Sequence, residues 1–169
     1  MKTALVIIDV QKSLIDEGPW NAEDVLERIA RLVASARAAG APIVFIRDRR
    51  VEPDGSLHSK LTALDDDIQI EKSYSDSFLE TDLCEQLQRR GLTRLIVAGL
   101  QTDYCIDTTC RRAASLGFEV VLVGDAHTTF DHPHLSASQI VAHHSYVLRR
   151  FPAGRGSVTV MECNDVAFT

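Results

Sequence analysis

The chain has 169 residues, of which 45% are hydrophobic and 25% charged, and its formal net charge is −6. This length fits one globular domain over residues 1–169 that buries about 70% of its extended-chain surface. The acidic balance argues against nucleic acid or an anionic membrane as the main partner. No apolar run approaches the roughly 18 residues that span a bilayer. Four cysteines without a C-x-x-C pair predict reduced thiols and a cytoplasmic location.

Short apolar runs alternate along the chain with stretches of helical spacing. The continuous runs predict parallel strands covered on both faces, at 4–8, 43–46, 68–70, 95–98, 120–123 and 158–161. Apolar residues three or four apart predict helices over 25–36, 83–87, 106–116 and 137–148. This alternation predicts a doubly wound α/β/α sandwich with a parallel sheet of about six strands in the order 3-2-1-4-5-6.

Three polar residues are expected to meet at one edge of this sheet. Ligands bind beyond the carboxyl ends of parallel strands, where the strand order reverses. Asp9 ends the first strand and Cys105 follows the fourth, its neighbour at the reversal, while Lys72 leaves the third strand at the same edge. We expect the lysine to lower the pKa of both partners and the following helix start to favour the Cys105 thiolate.

The residues around these positions carry a family resemblance that runs from about residue 3 to about residue 162. The matching segments are LVIIDVQ at 5–11, EKSYSDSF at 71–78 and VAGLQTDYC at 97–105. In this order and spacing they resemble the isochorismatase-like cysteine hydrolases, the superfamily of nicotinamidase and N-carbamoylsarcosine amidohydrolase.

The resemblance implies a set of roles for the matching residues. The catalytic triad falls on Asp9, Lys72 and Cys105. A cis peptide bond is implied between Leu100 and Gln101, which aims the backbone N–H groups of Gln101 and Cys105 at a developing oxyanion. The resemblance also implies a homo-oligomer, a dimer or a tetramer.

The same comparison bears on cofactors. Nicotinamidases of this superfamily carry an Asp-x-His pair after the second strand, where this chain has Asp48-Arg49-Arg50. We therefore expect no metal and no other cofactor. The candidate substrate pocket, for a small molecule, comprises Gln11, Leu14, Trp20, Tyr104 and His127.

These observations predict a cysteine hydrolase that cleaves an amide, ureido or lactam-like C–N bond through a thioester. Two alternatives stay open at this point. One is an isochorismatase-type hydrolase, which cleaves a vinyl ether by protonation and needs the acid but no thiol. The other is a binding protein that retains the fold with an idle site.

Overall fold

The computed structural model describes residues 1–168. Six parallel strands form one sheet in the order β3-β2-β1-β4-β5-β6, as the sequence predicts. The strands are β1 (Thr3–Ile8), β2 (Ile43–Asp48), β3 (Ile68–Lys72), β4 (Arg94–Leu100), β5 (Glu119–Thr128) and β6 (Ser157–Met161). The helices are α1 (Lys12–Asp16), α2 (Ala22–Ala38), α3 (Leu83–Arg89), α4 (Asp107–Ser115) and α5 (Ala137–Leu148). A π-helical turn (Thr102–Ile106) precedes α4, and a 3₁₀ turn (Cys163–Asp165) follows β6.

The sheet is covered on both faces, which explains its continuous apolar strands. Every residue of β1 is buried, and alternate side chains of this strand enter two different cores. Val6 packs in the core that contains residues of α3, α4 and α5, whereas Ile7 packs in the core under α1 and α2. The two cores hold the central strands rigidly, so the residues at their carboxyl ends have fixed positions.

Glycine is required where β1 meets β4. Gly99 has a φ of +125°, and a Cβ atom there would lie 2.1 Å from the carbonyl oxygen of Ile8. This close approach brings the residue after Ile8, which is Asp9, next to the segment that leaves β4. Asp9 itself has a φ of +53°, a strained conformation for a residue with a side chain.

The fifth strand is longer than its apolar run predicts. The sequence predicts that it ends at Val123, but β5 continues to Thr128, and the β4–β5 register shifts between Val97 and Gly99. After that shift, Gly99 pairs with His127. The irregular pairing lets the polar end of β5 stay in the sheet, a feature that apolar periodicity does not reveal.

The polar segment 49–67 folds back over the carboxyl edge of the sheet. The backbone N–H of His58 donates to the carbonyl of Val10 at 2.9 Å, and that of Lys12 donates to Ser56 at 2.9 Å. The segment therefore forms one wall above the end of β1. Within residues 1–168, no helix has the length and apolar character needed to cross a membrane.

Candidate active site

Asp9, Lys72 and Cys105 meet at the carboxyl edge of the sheet, as the sequence predicts. The ammonium of Lys72 lies 2.9 Å from Oδ2 of Asp9 and donates to Sγ of Cys105 at 3.2 Å. All three residues are buried, and the side chain of Lys72 is 0% exposed. A lysine buried so completely is stable only when its charge is paired, so Lys72 belongs to the site and not to the solvated surface.

The two oxygens of Asp9 have different environments. Oδ2 accepts from Lys72, whereas Oδ1 is buried and has no hydrogen-bond partner among residues 1–168. A buried acceptor without a partner costs about 1–3 kcal/mol and points to a functional role. Because Oδ1 belongs to a carboxylate beside a thiol, it is available to accept a proton.

The ionisation of the thiol differs from our expectation. Burial and the nearby Asp9 carboxylate raise the pKa of Cys105 to about 11, although Lys72 opposes them. Burial also raises the pKa of Asp9 against the effect of Lys72. The predicted lowering of both pKa values was therefore wrong, because desolvation outweighs the single ammonium. Between the two titrations, the Asp9–Cys105 pair carries one proton and one negative charge.

That negative charge is matched by Lys72. Burial alone would lower the pKa of this lysine, but Asp9 and Cys105 outweigh burial and raise it. The ammonium therefore stays charged at neutral pH. The site is arranged so that one proton can move between an oxygen and a sulfur without changing the net charge.

The π-helical turn sets the position of the thiol. The backbone N–H of Ile106 donates to the carbonyl of Gln101 at 3.0 Å, an i to i+5 bond. Cys105 therefore lies in this turn, directly before α4. The sequence predicts a helix after Cys105 but does not predict the π-helical turn. The peptide bond between Leu100 and Gln101 is cis. Gln101 lines the cavity next to Cys105.

The segment after Lys72 is anchored on the helix that follows Cys105. The hydroxyls of Ser77 and Thr109 lie 2.8 Å apart, and the backbone N–H of Ser77 donates to the Thr109 hydroxyl at 3.2 Å. Thr109 also donates to the carbonyl of Ser75 at 3.3 Å. These bonds connect two distant segments and keep the ammonium and the sulfur in register.

A cavity of about 410 Å³ opens onto Asp9 and Cys105, a size typical of small-ligand sites. Of the five predicted pocket residues, Leu14 and Tyr104 line it. Sequence reasoning missed four others, which come from the end of β2, the segment after it and the segment after β3. The lining residues are Asp9, Leu14, Asp48, Arg50, Val51, Ser75, Gln101, Tyr104 and Cys105.

The other three predicted pocket residues do not line this cavity. Gln11 is buried, and its side-chain amide bonds the backbone of Asp48 and Gly55. Trp20 is 43% exposed and lies outside the lining. His127 is buried in the bulged part of β5, so that its ring faces the π-turn and α5 instead of the cavity.

The contacts of His127 indicate a structural role. Nδ1 lies 2.8 Å from the hydroxyl of Thr102, and Nε2 lies 3.1 Å from that of Ser145. Burial lowers the pKa of His127 to about 3, so the ring is neutral at physiological pH. The neutral imidazole lies between two hydroxyls and holds Thr102, the residue that follows Gln101, in place.

Asp48 lies next to the triad and contacts both Lys72 and Arg50. Its carboxylate accepts three bonds from Arg50: from the backbone N–H at 2.9 Å, from Nε at 2.9 Å and from Nη2 at 2.6 Å. Burial alone would raise the pKa of Asp48, but Arg50 and Lys72 hold it below its usual range. Asp48 is therefore a carboxylate at neutral pH, and it lies 3.5 Å from the Lys72 ammonium.

Asp9, Asp48 and Cys105 are also the kind of residues that bind metal ions. One potential ligand atom from each lies within 4.8 Å of the others. The cation that these groups contact is the ammonium of Lys72, at 2.9, 3.5 and 3.2 Å, respectively. A divalent ion among the three ligand atoms would meet this buried positive charge, so the donor set does not fit a metal centre while Lys72 stays protonated.

Fold and site together define a doubly wound α/β protein with a thiol, a carboxylate and an ammonium at the switch point of its sheet. A family model described as Isochorismatase domain matches residues 3–150. The chain belongs to the isochorismatase family. Members of this family are hydrolases, and so is this chain.

Individual relatives agree with this membership. The isochorismatase family protein YrdC of Bacillus subtilis is 31% identical over 140 residues, which cover 76% of this chain and 75% of the relative. Streptothricin hydrolase of Streptomyces noursei is 34% identical over 140 residues, covering 77% of this chain and 51% of the relative. The crystal structure of an isochorismatase from Pseudomonas putida superposes with a TM-score of 0.86 at 28% identity, covering 98% and 90% of the two chains.

Proposed function

We propose that this hydrolase cleaves a C–N bond of a small amide, ureido or lactam-like substrate through a thioester on Cys105. The observation that carries the proposal is the contact of one buried ammonium with Asp9, at 2.9 Å, and with Cys105, at 3.2 Å, two residues that line the cavity. A thiol beside a base and a cation is the arrangement that nucleophilic catalysis by cysteine requires.

In the first step, Asp9 accepts the proton of Cys105 as the sulfur attacks the substrate carbonyl carbon. The C–S bond forms, and the π electrons of the carbonyl move to its oxygen. The backbone N–H groups of Gln101 and Cys105 stabilise that oxyanion. Lys72 stabilises the sulfur while the negative charge leaves Asp9, since it contacts both groups.

In the second step, the oxyanion collapses and the C–N bond breaks. Asp9 returns its proton to the leaving nitrogen, which departs as an amine or as ammonia, and a thioester stays on Cys105. Asp9, again a carboxylate, then accepts a proton from water as the water attacks the thioester. The C–S bond then breaks, and Asp9 passes its proton to the sulfur, which regenerates the thiol. The product is a carboxylic acid, or a carbamic acid where the substrate is a ureido compound. The unpartnered Oδ1 of Asp9 supports this repeated use as acid and base.

The test is a panel of small amides and ureido compounds, with released ammonia or amine as the signal. We expect turnover by the wild-type chain and a loss of at least about 1000-fold in Cys105→Ser. Cys84→Ser is the matched control, because Cys84 lies on α3 away from the cavity. It is expected to retain wild-type turnover.

Two other outcomes would overturn the proposal. If Cys105→Ser retained turnover while Asp9→Asn lost it, a reaction that needs the acid but no thiol would account for the site better. If the wild-type chain bound compounds of the panel but turned over none of them, the site would serve binding. Both outcomes can be measured with the same purified proteins.

A further inference from the structure

We propose that Arg50 binds a carboxylate of the substrate, so that the hydrolase acts on small amides that carry a carboxylate group. This inference rests on the proposed function and names the substrate class for the same site. It starts from a guanidinium that lines the cavity and that the triad chemistry does not use.

The guanidinium of Arg50 has a free binding edge. Arginine can bind a carboxylate in two bidentate ways, through Nε with one Nη, or through both Nη groups. The first edge, Nε and Nη2, is bonded to Asp48 at 2.9 and 2.6 Å. Nη1 has no hydrogen-bond partner within residues 1–168, and the side chain is 61% exposed. The edge formed by the two Nη groups is therefore accessible for a second, planar anion.

Arg50 is held in place by more than its own ion pair. Its backbone N–H also bonds Asp48, and the side-chain amide of Gln11 bonds the backbone N–H and carbonyl of Asp48 at 2.8 and 2.9 Å. Asp48 is thus fixed on both its main chain and its carboxylate. A guanidinium attached to such a fixed partner loses little entropy when it binds a ligand.

The charges of the site are balanced, so a preference for an anionic ligand is local to the free edge of Arg50. Asp9 and Asp48 are matched by Lys72 and Arg50, with the Cys105 thiol protonated. A carboxylate near the two acids would be repelled unless a cation lay beside it, and the free edge of Arg50 supplies that cation.

Distances place Arg50 near enough to the reacting sulfur for a compact molecule to contact both. Asp48 places a carboxylate oxygen within 4.8 Å of a ligand atom of Cys105, and Arg50 bonds Asp48 directly. A substrate whose carbonyl carbon contacts Sγ can therefore reach Arg50 with only a few intervening bonds. Short amide or ureido acids fit this spacing within a cavity of about 410 Å³.

The test uses two alkylating reagents that differ in this one group. Iodoacetate carries a carboxylate, and iodoacetamide is its neutral amide. Both react when the Cys105 sulfur displaces iodide: a C–S bond forms, the C–I bond breaks, and the thiol proton is released. The measured quantity is the ratio of the two rates at Cys105, by peptide mapping, divided by the same ratio for glutathione. The pKa of the thiol affects both rates equally and cancels.

In the wild-type chain we expect a normalised ratio of about 10 or more, as a charge-assisted bidentate contact implies. Arg50→Gln should lower the ratio at least about tenfold, and Arg50→Lys should restore part of it. Arg49→Gln is the matched control, since it removes the same charge from an exposed neighbour outside the cavity. It should leave the ratio unchanged.

A wild-type ratio at or below one would overturn the inference by itself, whether or not the variants fold. So would an equal decline in the Arg49 and Arg50 variants, since it would indicate a diffuse field instead of a binding contact. The experiment involves no hydrolysis. A high ratio with no thioester from any amide would refute the proposed function and leave the carboxylate site standing.

Discussion

Removing the charge of Asp9 should separate the ionisation of the thiol from its use in catalysis. Asp9→Asn keeps the shape of the side chain but deletes a carboxylate whose oxygen lies within 4.8 Å of the Cys105 sulfur. At an effective dielectric constant of about 20, two charges at that separation repel by about 3 kcal/mol. Because about 1.4 kcal/mol corresponds to one pH unit, the alkylation midpoint should move down by about 2 pH units.

The assay is the rate of iodoacetamide alkylation of Cys105 between pH 7 and pH 11, read by peptide mapping. In the wild-type chain the rate should rise towards a midpoint near the raised pKa of about 11. In Asp9→Asn the midpoint should be lower, because burial still raises the pKa of the thiol but the carboxylate no longer does. Asp16→Asn, an exposed change at the end of α1, is the control.

Turnover should respond in the opposite direction. Asp9→Asn is expected to lose about 100- to 10,000-fold in activity, since no other group returns the proton to the leaving nitrogen. A variant with a more acidic thiol and less activity would show that thiolate formation alone does not limit the reaction. An unchanged or higher midpoint in Asp9→Asn would refute the electrostatic reasoning.

Two further predictions concern stability, measured by urea unfolding. Gly99→Ala places a Cβ atom 2.1 Å from the Ile8 carbonyl oxygen and should prevent folding or cost more than about 3 kcal/mol. Gly154→Ala meets no heavy atom within 4 Å and should cost about 1 kcal/mol, because of the positive φ at this position. An equal cost at both positions would contradict the close approach of β1 and β4. Burial alone would raise the pKa of Asp107, but contacts with His144 and Arg111 lower it. The ionised carboxylate therefore stabilises the folded chain above the unfolded pKa near 4, and this stabilisation is lost as the pH falls through the folded pKa. Asp107→Asn should therefore cost about 1–2 kcal/mol at pH 7 and progressively less as the pH falls below about 4. A cost that did not decline at acid pH would contradict this linkage.

The strands were predictable from hydrophobic patterning, and their order from the usual arrangement of a doubly wound α/β sheet. Strands covered on both faces require continuous apolar runs, and the sequence contains one such run for each of the six strands. The convergence of Asp9, Lys72 and Cys105 follows from the same pattern, because each residue lies at or beyond the carboxyl end of its strand. The end of β5 was not predictable, since its last residues are polar and stay in the sheet through a register shift.

Asp48 and Arg50, next to the triad, show where sequence reasoning failed. Asp48 ends β2 as Asp9 ends β1, so the edge argument that selects Asp9 also selects Asp48. We considered that position only as a metal ligand and did not ask what else its carboxylate could bind. The role of Arg50 depends on how the segment 49–67 folds back over the edge, which no local pattern reveals. The signal available was the Asp-x-Arg spacing directly after a buried strand.

The pKa of Cys105 was predicted in the wrong direction for a related reason. A sequence identifies the neighbours of a thiol but not its degree of burial. Here the desolvation of Cys105 and the nearness of a second acid exceed the effect of Lys72. His127 was misplaced similarly, because its position at the end of a strand did not indicate that the ring faces Thr102 and Ser145.

Mass spectrometry of the intact chain during turnover of an amide substrate tests the account most directly. If Cys105 carries the acyl group, rapid acid quenching should yield one adduct with the mass of the acyl fragment, mapped to the peptide that contains Cys105 and released by hydroxylamine. Turnover with no adduct on Cys105, or with an adduct that Cys105→Ser retains, would contradict the thioester mechanism.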